Sequence, residues 1–290
     1  MAVTDRAARP RAEADAFRGA ALVPGMPQLL AGDPAPSWRE LAQATRAAGE
    51  ALRARKPDVL VILSTQWFTV LGHQLQMDPN PAGTRVDENW YAYDYGTLSY
   101  DLRIDTEFTE RWAQEIEAHG FQARRTNYEH FPIDTGVVVA HPLLDPDGTL
   151  PLALISTNLY ADVADIADLS ACALRAAAAT GRSAAFVAVS GLSSGLTQRW
   201  IEPRDDRIEI AEHERWNRRM LDLLADGRLE DALALSGEFA SEAQVDSQFR
   251  ALPFLAGTGC LAGSADVRAY GPIWGTGAAV VSWSDPRSPA

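Results

Sequence analysis

The sequence predicts an α/β fold: a single domain with a mostly parallel central sheet flanked by helices. Three observations carry this expectation. Short continuous apolar runs, bounded by turn residues, read as buried strands. Amphipathic helical patterns stand between them, the alternation that builds a parallel sheet with helices on both faces. No Pro-, Gly- or Ser-rich linker divides the 290 residues.

The elements follow in order. The opening "MAVTDRAARPRAEADAF" lacks an apolar stretch and is expected to be a frayed tail over residues 1–17, so the domain spans 18–284 and 285–290 form a second tail. "ALVPGMPQLL" (21–30) reads as a loop. In "SWRELAQATRAAGEALRARK", Leu41, Ala44, Ala48 and Leu52 recur at helical spacing, with Ser37 at the N-cap position, Glu40 three residues on, and Pro57 as the stop. "DVLVILSTQW" (58–67) gives a strand that ends near Ser64 and leaves Gln66 in the following loop. A helix "TEFTERWAQEIEAHG", a strand "FQARRT" and a buried strand "PLALIST" come next. The helix "ADVADIADLSACALRAAAATG" leads to the strand "SAAFVAVSG". A charged helix "RIEIAEHERWNRRMLDLLADG", the segment "LEDALALS" and an apolar helix near 248–257 follow. "ADVRAYG" and "GAAVVSW" close the chain as strands.

Composition narrows the function. Hydrophobic residues make up 47% and charged residues 22%, ordinary for a globular chain with a full core. The 39 acidic and 26 basic residues give a formal charge of −13, which argues against nucleic acid or an anionic membrane as partner. Two cysteines without CxxC spacing, Cys172 and Cys260, fit a cytoplasmic protein without a disulfide framework. No apolar run is long enough to span a membrane.

Chemistry in such folds gathers in loops beyond the carboxyl ends of the strands. The candidates are 21–30, "LSTQW" (63–67), "FPIDTG" (131–136), "VSGLSSG" (189–195) and "SEAQVDSQF" (241–249). The five histidines are His73, His119, His130, His141 and His213, and none lies in any of these loops. "GLSSG" matches the G-x-S-x-G nucleophile elbow, which would make Ser193 a hydrolase nucleophile, yet the only downstream histidine is His213, on a helix that reads as solvated. His130 with Asp134, or His141 with Asp145, lacks a third metal ligand in the sequence. Trp67, Trp90, Trp200, Trp216 and Trp274 lie beside loops or charged segments, and "DENWYAYDYG" (87–96) is dense in aromatics, a composition that suits an interface or a pocket.

The order of these loops resembles the class III extradiol ring-cleavage dioxygenases, the protocatechuate 4,5-dioxygenase-like family, from about Ala21 to Val281. The features that carry the likeness are the Pro-rich opening loop, a strand ending S-x-x-W, D-x-G before an apolar run, "SGLS" after a strand, "EHERWNRRMLDLLADGRLEDALAL" and "YGPIWGTGAAVV". The resemblance implies Fe(II) held by two histidines and a carboxylate. It places those histidines at Gly25 or Gln28 and at Gln66, a pocket histidine at Thr135, an acid/base histidine at Ser194, and the carboxylate among Glu242, Asp246 and Gln248. Each histidine position holds a residue unable to do that work. The pattern is similar to the non-catalytic α-type subunit of two-component aminophenol-cleaving members. It implies no metal and no catalytic residue in this chain, with Fe(II) in a homologous β-type partner of an α2β2 assembly acting on a 2-aminophenol- or catechol-type ring. The rival expectations are a Ser193 hydrolase and a binding protein for a small aromatic ligand.

Overall fold

A computed structural model describes residues 10–85, 97–195 and 200–284. Its centre is an eight-stranded sheet in the order β6-β3-β7-β2-β8-β1-β10-β9. These strands are β1 (Phe17–Val23), β2 (Val59–Thr69), β3 (His73–Gln76), β6 (Ala123–Thr126), β7 (Leu152–Asn158), β8 (Ala184–Val189), β9 (Asp266–Ile273) and β10 (Thr276–Trp283). The inner strands β7, β2, β8 and β1 are mutually parallel. β3 joins β7 antiparallel, and the β9–β10 hairpin closes the other side antiparallel to β1. β4 (Ala82–Arg85) and β5 (Leu98–Asp101) form a separate antiparallel pair.

The apolar runs set the strands because each lies between two helical layers. In β2, Val59, Val61 and Leu63 face one core cluster while Leu60 and Ile62 face the other, and all five are at most 1% exposed. Burying each such side chain contributes about 1.5–3 kcal/mol, more than any turn preference can offset. One layer holds α3 (Thr106–Ala118), α5 (Val163–Thr180) and α8 (Ala251–Gly257), whose buried residues share a cluster with those of α6 (Ala211–Ala225) and α7 (Leu229–Glu242). The other layer is α2 (Pro36–Arg53) with α4 (Thr135–Leu144). Among the described residues no helix is long and apolar enough to cross a membrane.

Several expectations change. The expected N-terminal tail carries α1 (Arg11–Ala16), and Phe17, counted in that tail, opens β1; both Ala16 and Phe17 are buried. Residues 21–23 belong to this central strand rather than to a loop. Ser37 is not a cap: α2 starts at Pro36, and the Ser37 hydroxyl donates to the Pro272 carbonyl at 3.1 Å, tying the helix to β9. A proline fits the first helical turn, where its missing N–H has no intrahelical partner anyway. The expected tail at 285–290, Trp90 and the aromatic stretch 87–96 lie outside the described residues.

Candidate functional site: the bulge in β2

The site begins with an irregularity in β2. Its ladder is regular through Ser64, which pairs with Ser156 of β7 and Val189 of β8. The register then slips, and pairing with β7 resumes at Phe68 with Thr157. Thr65, Gln66 and Trp67 therefore bulge out of the ladder at the carboxyl end of the parallel strands. Gln66 lies within β2 at this bulge, not in a loop beyond the strand.

The bulge is held by hydrogen bonds. The Gln66 amide Nε2 donates to the Gly25 carbonyl at 3.1 Å, and its backbone N–H donates to Ser64 Oγ at 3.3 Å. Ser64 Oγ donates in turn to Asp134 Oδ1 at 2.6 Å. Asp134 caps α4, accepting the Val137 N–H at 3.1 Å. Burial holds the Asp134 carboxyl above its ordinary pKa, opposed by these hydrogen bonds. Thr135, the first residue of α4, accepts from Arg85 Nη2 at 3.1 Å. Two glycines bring the walls together. A Cβ on Gly25 would lie 2.6 Å from the Gly136 Cα, and one on Gly136 would lie 2.7 Å from Ser64 Oγ. No side chain, a histidine included, fits at Gly25 without moving backbone. Gln28 sits in the turn Pro27–Leu30, 8% exposed, and its Oε1 has no hydrogen-bond partner.

The 241–249 segment supplies the third wall. Glu242 ends α7, Asp246 opens the following turn, and Glu242, Asp246 and Gln248 are all exposed. The residue that reaches the bulge is Ser247, whose hydroxyl donates to the Thr65 carbonyl at 3.2 Å. Ser247, Gln248 and Phe249 have φ of 50°, 55° and 55°, a left-handed turn that L-residues resist. Two features hold it. Phe249 is fully buried against Phe239, and the buried Arg250 guanidinium donates to the carbonyls of Ser247, Leu159 and Ala161 at 3.1, 2.8 and 2.7 Å. No sequence signal marks Ser247 or Arg85 beforehand; the first is a serine in a polar segment and the second a lone cation on a short strand.

The "GLSSG" segment is structural. Ser193 is 1% exposed; its Oγ accepts from Asn217 Nδ2 at 2.8 Å and from the Gly277 N–H at 3.0 Å, while its own N–H donates to Asn217 Oδ1. A hydroxyl enclosed by two donors and bonded to an amide rather than an imidazole is not an elbow nucleophile. The Ser194 N–H donates to the Ala243 carbonyl, joining this loop to α7. His213 is not on a solvated face. It is 4% exposed, its Cε1 would lie 3.5 Å from a Cβ on Gly195, and burial lowers its pKa. His130 lies at the surface beside Glu129, and Asp145 accepts from Thr149 Oγ1 and the Leu150 N–H within its own turn. Of the tryptophans, Trp67 packs on Phe131, Trp216 is 6% exposed, and Trp200 meets Trp274 edge-on.

The donors around the bulge are thus an amide, hydroxyls and one carboxylate engaged as a helix cap. Ferrous iron needs neutral imidazoles and carboxylates converging on one point, so these residues do not fit it. Among the described residues no three His, Cys, Asp or Glu side chains are grouped to hold a metal.

Comparison with known proteins gives the fold and the lineage of the chain. The family model described as the catalytic LigB subunit of aromatic ring-opening dioxygenase matches residues 21–280. The chain is 35% identical to the 2-aminophenol 1,6-dioxygenase alpha subunit of a Pseudomonas sp over 266 residues, 91% of this chain and 97% of that one. It is 25% identical to the beta subunit of 2-aminophenol 1,6-dioxygenase, also from a Pseudomonas sp, over 288 residues, covering 91% and 92% of the two chains. An uncharacterized Escherichia coli K12 protein of known crystal structure shares the fold with a TM-score of 0.66 at 14% identity, over 92% of this chain and all of that one. The chain belongs to the LigB family of aromatic ring-opening dioxygenase subunits.

Proposed function

We propose that this chain is the metal-free, non-catalytic α-type subunit of a two-component extradiol dioxygenase in the cytoplasm. Its partner is a homologous β-type subunit that holds Fe(II) and cleaves a 2-aminophenol- or catechol-type ring, in an α2β2 assembly. The observation that carries this reading is the use made of Gln66. Its amide donates to the Gly25 carbonyl at the place where the family resemblance puts a metal ligand, the close glycine contact leaves no room for an imidazole at Gly25 itself, and the other position the resemblance offers, Gln28, holds an amide as well. An uncharged amide is a weak donor for a divalent cation. The likeness to both an alpha and a beta subunit of one kind of enzyme supports a homologous partner. The degenerate positions Gly25, Gln28, Gln66, Thr135, Ser194, Glu242 and Gln248 then belong to scaffold rather than to catalysis.

The test is co-expression with a histidine-retaining homologue encoded nearby. Ring-opening activity on 2-aminophenol or catechol is expected in the co-purified complex and not in the lone chain. Full activity of the homologue alone, with no association between the two chains, would overturn the assignment.

A further inference from the structure

Given the two-subunit reading above, on which this rests, we propose that two adjacent apolar turns at the carboxyl end of the central sheet are the face on which the homologous β-type subunit docks. Among the described residues eight large apolar side chains are exposed, and five of them stand here. Phe68, Val70 and Leu71 lie where β2 ends and turns toward β3, and Tyr160 and Val163 lie where β7 turns into α5. Each is 46–79% exposed. Backbone pairing sets the two turns side by side. Phe68 stands opposite Thr157 and Thr69 opposite Asn158, and the Leu159 N–H donates to the Thr69 carbonyl at 2.9 Å. Both turns are also pinned. Thr69 Oγ1 donates to the Gly72 carbonyl at 2.9 Å, and Gly72 takes a φ of 68°. The Tyr160 N–H donates to Asn158 Oδ1 at 3.0 Å, and the buried Arg250 guanidinium holds the carbonyls of Leu159 and Ala161. Turns fixed in this way lose little conformational freedom when a partner covers them.

A single exposed apolar side chain is ordinary, whereas five on neighbouring turns are not. Together they present an apolar area on the order of several hundred Å², the upper end for a chain that stands alone. A stable interface takes ~800 Å² from each partner, so this patch supplies its apolar centre and the polar residues around it the rim. The rim selects the occupant. Neither 64–76 nor 156–168 contains a lysine or an arginine. Asp162, Asp165 and Asp168 stand at the start of α5, exposed or half-buried. A second copy docked by a two-fold axis on this face would set the same acidic rim against itself, in a chain of net charge −13. An anionic lipid surface meets the same repulsion. A different chain, apolar at the matching surface and basic around it, satisfies both the patch and its rim.

The full-length chain is mixed with a histidine-retaining homologue encoded nearby, and association is followed by biolayer interferometry and sedimentation velocity. Leu71→Ser in the first turn and Tyr160→Ser in the second are each expected to weaken it about tenfold or more. Trp200→Ser, at an exposed aromatic outside both turns, should leave it within about twofold. Both variant sites are exposed, so their thermal midpoints should match the parent, and if one variant fails to fold the other carries the test. The association rate should fall as salt rises, as it does for opposed charges. Association that neither Leu71→Ser nor Tyr160→Ser weakens overturns the inference and leaves the proposed function standing. Self-association of the lone chain that Leu71→Ser abolishes assigns the face to a second copy and overturns it. Binding to phosphatidylserine vesicles that the same variant abolishes assigns it to lipid and does likewise. An association rate indifferent to salt overturns the choice of a basic-rimmed partner. No association between the parent chains overturns the proposed function, and the docking face with it.

Discussion

Replacing Asp134 by alanine or by asparagine separates its role as a hydrogen-bond acceptor from its charge. In the folded chain Oδ1 accepts the Val137 N–H and the Ser64 hydroxyl. Alanine removes the cap of α4, about 1 kcal/mol. It also leaves the hydroxyl of Ser64, which is 1% exposed, without its acceptor, about 1–3 kcal/mol more. The expected loss is thus about 2–4 kcal/mol. Asparagine keeps an oxygen at the same point and discards the charge. Because burial raises the folded-state pKa of Asp134, the native protein retains this proton to higher pH than the unfolded chain does. Stability falls as pH rises from the unfolded to the folded pKa, and the penalty is fully present above the folded one. Asp134→Asn removes that penalty. It is expected to lie within about 1 kcal/mol of the parent near neutrality and to gain on it as pH rises through that window. Urea unfolding followed by tryptophan fluorescence, across acid and neutral pH, measures both. If Asp134→Asn costs as much as Asp134→Ala at neutral pH, the carboxylate charge itself stabilises the bulge and the α4 cap, and the reasoning fails.

Two further outcomes follow from buried cations and imidazoles. His73 is 3% exposed, and burial lowers its pKa to about 4. The neutral form is the folded one, so stability present above the unfolded pKa is lost as pH falls from about 6.5 toward 4, up to about 3 kcal/mol. His73→Phe should flatten that part of the acid unfolding profile, and an unchanged slope would refute it. Arg250→Met leaves the carbonyls of Leu159, Ala161 and Ser247 without their donor and should destabilise by about 2–4 kcal/mol. Hydrogen exchange at 246–250 should rise in parallel, because the left-handed turn loses the group that holds it.

The parallel core was legible in the sequence wherever a strand is buried on both faces. Val59–Leu63, Leu152–Ile155 and Ala184–Val189 are continuous apolar runs because helices cover them above and below. The strand Phe17–Val23 is not legible, since Phe17 falls in the expected tail and residues 21–23 read with the Pro-rich loop that follows; its strand character comes from β8 and β10 on either side. The hairpin β4–β5 was equally silent, being short and polar. At the site, the family resemblance points to Gln66, Gly25 and Thr135, and in the fold they stand around Asp134, Ser64 and Gly136. Ser247 is not legible in the sequence: the family resemblance points to a carboxylate in 241–249, whereas what reaches the bulge is a hydroxyl placed by backbone conformation, which leaves no mark in composition. His213 looked solvated because its neighbours Glu212, Glu214 and Arg215 are charged, but the ring turns inward beneath Gly195.

Anaerobic equilibration of the purified lone chain with Fe(II), followed by desalting and iron quantification, tests the metal-free assignment most directly. The account predicts iron far below one equivalent per chain, unchanged by Gln66→Ala, while the co-purified complex holds iron through its other subunit. Stoichiometric iron in the lone chain, lost on substituting Gln66 or Ser247, would contradict it.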